Sequence, residues 1–180
     1  GNVSAASCIG GIIGLHSAGG SGSLITLCNV EGTITGTGNK IGGVAGESKS
    51  PIQDIILKEV TMQTNDTSMN VGGLVGALYA NAVYNCHIEM DVSGGGYVGG
   101  IVGNVVSNTG DFYMDICIFK GNVNGSSYVG GLIGSEERYG SAGLISTSYA
   151  VGSVTNSGRY TGGLIGFNRG NVKDCYANMD

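Results

Sequence analysis

Apolar and polar positions alternate along this chain in short runs, and the runs recur with the same punctuation. Across residues 117–125 the small or apolar Cys117, Phe119, Gly121, Val123 and Gly125 take alternate places, with Lys120, Asn122 and Asn124 between them. That is the period of a half-buried β-strand. Residues 28–36 and 148–156 repeat it. Each run gives way to a turn rich in Ser, Gly and Asn, and then to a six-residue phrase built on a glycine pair. A third short extended run follows, as at 143–147 and 170–174.

The glycine phrase occurs at 9–14, 41–46, 71–76, 98–103, 129–134 and 161–166, with its pairs spaced 32, 30, 27, 31 and 32 residues apart. A period in this range marks a stacked repeat, because one unit cannot bury its own apolar face. Three short strands and three turns per unit predict an all-β fold, a right-handed parallel β-helix of roughly six coils of about 30 residues. At about 4.8 Å per coil the stack is about 29 Å long. The left-handed hexapeptide form fits less well, since no six-residue subperiod exists. Helix is excluded by glycine, which costs about 1 kcal/mol per helical position relative to alanine.

In such a stack equivalent residues touch like with like. The spacing predicts an inward column of Val30, Val60, Ile88, Phe119, Ala150 and Ala177, and beside it Gly32, Met62, Met90, Gly121, Gly152 and Met179. Cys28, Cys86, Cys117 and Cys175 fall in one column with Lys58 and Ser148. Two readings of that column stand: a row of small buried thiols, or disulfides between neighbouring coils. Taken as one strand, the glycine phrase is apolar on both faces, with Val98 and Val102 on one and Tyr97 and Ile101 on the other. The tyrosine column Tyr97, Tyr128 and Tyr160 either covers the glycines or forms a partner surface. Gly99, Gly130 and Gly162 are expected to serve either positive φ or packing under those rings.

The 36 glycines accompany 41% hydrophobic and 12% charged residues, so the glycine belongs to a chain able to bury a core rather than to a flexible linker. A net charge of −5 without a basic run argues against nucleic-acid binding, and the short apolar stretches argue against membrane insertion or a signal segment. Residues 1–180 read as one solenoid domain whose end coils look incomplete, so the chain is expected to be a fragment. Its ends are expected to stack on flanking domains or on another copy.

Chemistry-bearing constellations are scarce. His16 and His87 occupy different parts of the repeat, and His87 beside Cys86 points to the opposite strand face, against a Cys/His nucleophile pair. Glu31, Glu89, Asp91 and Lys120 read as surface charge. The glycine strings open no helix and lack the lysine of a phosphate loop, and the calcium-roll phrase is absent. No cofactor is implied.

Gly73-Leu74-Val75-Gly76, Gly131-Leu132-Ile133-Gly134 and Gly163-Leu164-Ile165-Gly166, together with the flanking Ser148-Tyr149-Ala150-Val151-Gly152-Ser153-Val154, resemble the GLUG-motif family. The resemblance implies a module of a large secreted or surface-attached bacterial protein, adhesin-like, with no catalytic residues to carry over. On that footing the chain is expected to be an extracellular, non-enzymatic adhesion or spacer module. The rival is a β-helix carbohydrate-active enzyme or polysaccharide-binding module, and a partner would be a host protein or glycan. Contacts are expected from the variable loops 47–54, 104–111 and 135–141, first from Tyr139 with Glu136, Glu137 and Arg138, and from Tyr97, Tyr128 and Tyr160.

Overall fold

The computed structural model describes residues 1–17, 23–80, 82–106, 111–137 and 143–180. Among these it contains strands, turns and bends and no helix. All pairings are parallel, each strand lying against its equivalent in the next coil, as in Tyr97↔Tyr128↔Tyr160 and Phe119↔Ala150↔Ala177. The chain is therefore a β-solenoid. Two of its sheets hold six strands each, and with incomplete end coils the stack makes about five full turns.

The glycine phrase is two strands rather than one. In its third copy the chain runs as Val71–Gly72, bends over Gly73 and Leu74, and resumes as Val75–Leu78. The two arms of this arch belong to different sheets, which pack backbone on backbone. A Cβ on Gly72 would lie 2.7 Å from the Gly103 nitrogen of the next coil, and one on Gly103 would lie 2.6 Å from the Val71 nitrogen. Any side chain at the first or last glycine of the phrase would push the arms apart. The middle glycine is pressed from two sides: a Cβ on Gly73 would meet the Gly100 oxygen of the next coil and lie 2.9 Å from Ile88 Cγ2, and one on Gly43 would meet the Gly73 oxygen and lie 2.7 Å from Leu57 Cδ1. It makes room for the core side chain of the opposite sheet.

This bend removes the apparent two-faced strand, because Val98, Ile101 and Val102 are all fully buried. It also corrects the role expected for Gly99, Gly130 and Gly162. None has positive φ. A Cβ on Gly99 would meet the Gly134 nitrogen at 2.7 Å, and one on Gly130 the Gly166 nitrogen at 2.7 Å, so these glycines pack under the backbone of the other arm rather than under tyrosine rings.

On the opposite side the chain turns at a second corner, built differently. Leu27, Asp54, Asn85, Ile116, Thr147 and Asp174 occupy it in successive coils, all with φ between 45° and 55°. Left-handed backbone at Ile116 and Thr147 is costly for β-branched residues. The following residue compensates. Cys28, Cys86, Cys117 and Cys175 each donate their thiol to the carbonyl two residues back, at 3.3, 3.2, 3.3 and 3.2 Å. Ser148 does the same with its hydroxyl at 2.6 Å, and also accepts the Cys117 N–H at 3.0 Å. The column thus ties down the corner carbonyl. All five cysteines are free thiols, so no disulfide joins the coils. A hydrogen bond with Cys86, and then burial, push the Cys117 thiol well up, so it stays protonated and weakly nucleophilic at neutral pH.

The second coil is where the sequence register slips. Cys86 pairs with Ile55, so Ile55 rather than Lys58 fills the thiol column. Ile88 pairs with Leu57, and Gly32 with Val60, which moves Leu57 into the inward column and Val60 into the place expected for Met62. Met62 pairs with Ile34 instead. All of these aliphatic side chains are buried in one continuous hydrophobic cluster. Fully burying each contributes about 1.5–3 kcal/mol.

Candidate partner surface at the mouth of the arch

The open edge of the glycine arch gathers the polar and aromatic side chains of the coil. Residues just before the first arm face residues at the end of the second. In the second coil these are Lys40 and Glu47, whose Nζ and Oε2 are 2.5 Å apart. The hydrogen bond to Glu47 raises the Lys40 pKa above the ordinary lysine value, against the lowering effect of burial. Lys40 also lies 5.8 Å from the ring centre of Tyr79.

Two coils further on, the same edge becomes aromatic. Tyr97 and Tyr128 stack with centroids 4.7 Å apart, and Tyr128 and Tyr160 at 5.0 Å, which is the coil spacing itself. Phe167 meets Tyr128 and Tyr160 edge-on, at 6.0 and 5.7 Å, and the Arg169 guanidinium lies 5.5 Å from its centre. Stacking occupies the ring faces, so what the ladder presents outward is a row of ring edges and phenol groups. Burial, then nearby Glu137 and Tyr128, raise the Tyr97 pKa and keep its hydroxyl protonated. Sequence reading did not single out Phe167 or Arg169; the signal it offered was that Phe167 follows its glycine phrase where Ser135 follows the one before, and the two pair in the structure.

The loops expected to carry contacts leave from this edge. Glu137 is exposed and accepts a hydrogen bond from Ser135 Oγ at 3.1 Å. Glu136 is only 1% exposed, and its Oε2 accepts the Arg169 backbone N–H at 3.1 Å. Its expected place on an exposed loop is corrected, since it ends the strand Ile133–Glu136 inside the stack. Arg138 and Tyr139 lie outside the described residues. The 47–54 stretch is mostly not a loop: Glu47 and Ser48 end one strand, Ile52 begins another, and Ser50 between them is buried. Of 104–111, residues 107–110 lie outside the described set, and Asn104 and Val105 still belong to a strand.

His87 lies outward beside Ile56 and Ile118, while Cys86 points inward, so the two form no catalytic pair. Burial, then Lys120 and Lys58, lower the His87 pKa. Among the described residues no group of three or more His, Cys, Asp or Glu side chains is placed to hold a metal ion.

Against known proteins, the family described as the GLUG motif matches this chain at residues 67–93 and 157–180. Both segments contain a Gly-Leu-x-Gly phrase and the arch it builds; the phrase at 131–134 falls between them. Halomucin of Haloquadratum walsbyi is 32% identical over 182 residues, a match that takes in 94% of this chain and 2% of halomucin. That relative is archaeal, so the bacterial source implied by the resemblance is not supported. No solved structure matches the chain.

Proposed function

The chain carries the GLUG motif, and from that premise we propose that it is an extracellular, non-enzymatic spacer or adhesion module of a surface or secreted protein. The observation that carries this reading is the equivalence of the coils. Thiol corner, glycine arch and core column recur from coil to coil with substitutions that keep the backbone path, so adding coils adds length and leaves the cross-section unchanged. A stretch similar to 94% of the chain makes up 2% of halomucin, which fits a unit used as one segment of a much longer protein.

Where the module engages a partner, the mouth of the arch is the surface proposed for it. It combines the tyrosine ladder, Phe167 and the exposed Glu137. A host protein or glycan is the proposed class. The rival is a carbohydrate-active enzyme, motivated by the same solenoid architecture. Screening the purified chain on glycan arrays and on uronic-acid polymers separates the two: binding without cleavage, or no binding, agrees with the module, and catalytic cleavage of any polymer overturns it.

A further inference from the structure

The outward side of the thiol corner holds an open cleft of about 390 Å³. Leu27, Asp54 and Asn85 line it from the corner tips, and Ile56, His87 and Ile118 from further along the strands. These residues come from four successive coils, so the cleft runs along the stack for three coil steps, about 14 Å. Its walls are aliphatic on a side of the coil that faces solvent. Ile56 is 57% exposed, and Ile116, at the corner of the next coil after Asn85, is 53% exposed. Both belong to coils that have a paired neighbour on either side, so their exposure is a property of the face itself. Covering such side chains with a partner is favourable.

One carboxylate sits in this cleft without a counter-charge. Asp54 accepts Asn85 Nδ2 on Oδ1 at 2.7 Å, and Gln53 Nε2 and Thr26 Oγ1 on Oδ2 at 2.9 and 3.4 Å. All three donors are neutral, and among the described residues Asp54 has no ion pair. His87 adds no positive charge, because burial, then Lys120 and Lys58, lower its pKa and keep the ring neutral. More acids follow on the same face. Glu31 lies directly against Glu59 of the next coil, a like-charge pair that costs stability, and Glu89 and Asp91 are exposed in the third coil. Against Lys58 and Lys120 these leave the face with an excess of negative charge. The free valence of Asp54 narrows the ligand further. A carboxylate oxygen accepts about two hydrogen bonds, so Oδ2 is filled and Oδ1 has one place left. That single place suits a point-like ammonium, whereas the two-pronged guanidinium of arginine needs room on both oxygens. An ammonium on an aliphatic stem also matches walls made of isoleucine. A neutral sugar would leave the carboxylate uncompensated, and an acidic one would add to the negative excess.

We propose that this cleft is a docking site for an extended segment of a basic protein partner, which lays a lysine side chain between the aliphatic walls with its ammonium on Asp54. About four residues of extended chain span the length of the cleft. The site lies across the coil from the arch mouth, so the spacer or adhesion reading stands whether or not the cleft binds.

Heteronuclear NMR of the isotope-labelled full chain tests it with three capped tetrapeptides, in which leucine alternates with lysine, with arginine or with glutamine. The lysine peptide is expected to shift the amides of Asp54, Ile56, Asn85 and Ile118 and to saturate. The arginine peptide is expected to bind several-fold more weakly, and the glutamine peptide not at all. Asp54→Asn keeps the shape of the corner tip and a residue that tolerates left-handed backbone; it is expected to weaken the lysine peptide about tenfold or more, since a hydrogen bond to a charged group is lost. Ile56→Lys, at an exposed position, is expected to abolish binding by filling the cleft with an ammonium of its own. Asp66→Asn, which removes the same charge from an exposed turn elsewhere, is expected to change nothing. Absence of a saturable shift with the lysine peptide at millimolar concentration overturns the proposal. So do equal affinities for the three peptides, or equal losses in Asp54→Asn and Asp66→Asn. Saturable shifts at these amides with a neutral or uronic-acid oligosaccharide, and none with the lysine peptide, would make the cleft a glycan site and overturn it too. Should Asp54→Asn fail to fold, the peptide series on wild type and Ile56→Lys decides alone.

Discussion

The two corners of the coil solve one problem by opposite means. At the arch the chain reverses by removing side chains, so that one backbone lies against another with no room for a Cβ. At the thiol corner it reverses around a non-glycine residue in left-handed conformation and keeps a side chain, whose thiol or hydroxyl binds the displaced carbonyl. The arch has no tolerance for volume. The corner tolerates varied residues at its tip, from Leu27 to Asp174, provided the next position helps. Ile55 shows the limit of that rule, because it fills the thiol column without any donor; there Gln53 and Asn85 instead donate to the Asp54 carboxylate, at 2.9 and 2.7 Å.

The sharpest way to break the contrast is to add volume at the arch. Gly99→Val places its Cβ 2.7 Å from the Gly134 nitrogen and 2.8 Å from the Leu132 oxygen, both backbone atoms in an interior coil. Neither can move without opening the ladder above. The expected loss is about 3 kcal/mol or more, at or above the top of the usual range for overpacking, because the clash is with backbone that cannot repack. Urea denaturation checks it. A loss under about 1 kcal/mol would mean that the arms separate freely.

Removing the helper at the other corner should cost less. Ser148→Ala deletes a bond to the Ser146 carbonyl and leaves the buried Cys117 N–H without its acceptor. About 2–3 kcal/mol is expected, since an orphaned buried polar group costs about 1–3 kcal/mol. Cys117→Ala removes weaker thiol contacts, to the Asp115 carbonyl at 3.3 Å, the Val83 carbonyl at 3.6 Å and Cys86, and should cost less than Ser148→Ala. Cys117→Ser, which keeps a donor, should recover part of that loss. Equal denaturation midpoints for Cys117→Ala and Cys117→Ser would show that the donor is irrelevant and that volume alone sets the column.

The same contrast explains how far the sequence could be read. The glycine phrase gave away the coil because a steric demand recurs with every turn and admits one residue type. Its bend was hidden, since Gly-Gly-Leu followed by an apolar residue looks like one buried strand until the contacts of the missing Cβ atoms are known. Cysteine and serine shared a visible column, but their role lay in a carbonyl two residues back, which spacing does not encode. Lys58 was placed in that column by counting from the glycines; the second coil spends one extra residue between Leu57 and Val60 and more in the turn that follows Gln63, which counting cannot see. At the mouth of the arch the tyrosine ladder was legible as a repeated type. Lys40 with Glu47, and Phe167 with Arg169, were not, because each occurs in a single coil.

Those single-coil contacts at the arch mouth give a smaller, pH-dependent effect. Lys40 has a raised pKa because its ammonium donates to Glu47. A raised folded pKa means that the stabilisation is complete below the unfolded lysine value, about 10.4, and is lost as pH climbs through the folded value. Tyr97 and Tyr113 add the same sign, since burial in the first and a hydrogen bond to Asp111 in the second hold their phenols protonated to higher pH. Stability should therefore fall between about pH 10 and pH 12. Lys40→Met should flatten part of that fall and leave the remainder to the tyrosines. Denaturation midpoints for both proteins across this range check it, and parallel curves would show that Lys40 has no share.

The smallest effect belongs to the tyrosine ladder itself. Tyr128 stacks on both Tyr97 and Tyr160 and meets the edge of Phe167, so Tyr128→Leu removes three ring contacts while keeping apolar cover over the arch mouth. Aromatic pairs contribute about 0.5–1.5 kcal/mol beyond their buried area. With ring edges already reaching solvent, a total loss of about 1 kcal/mol is expected. Tyr128→Phe, which keeps the stack and removes only the hydroxyl, should be close to wild type in thermal denaturation. The pair also separates stability from recognition. If Tyr128→Phe abolishes binding to a glycan or protein found by screening while the melting curve is unchanged, the row of phenol groups is the contact; if only Tyr128→Leu weakens binding, in step with its lost stability, the ladder serves the arch and the partner sits elsewhere.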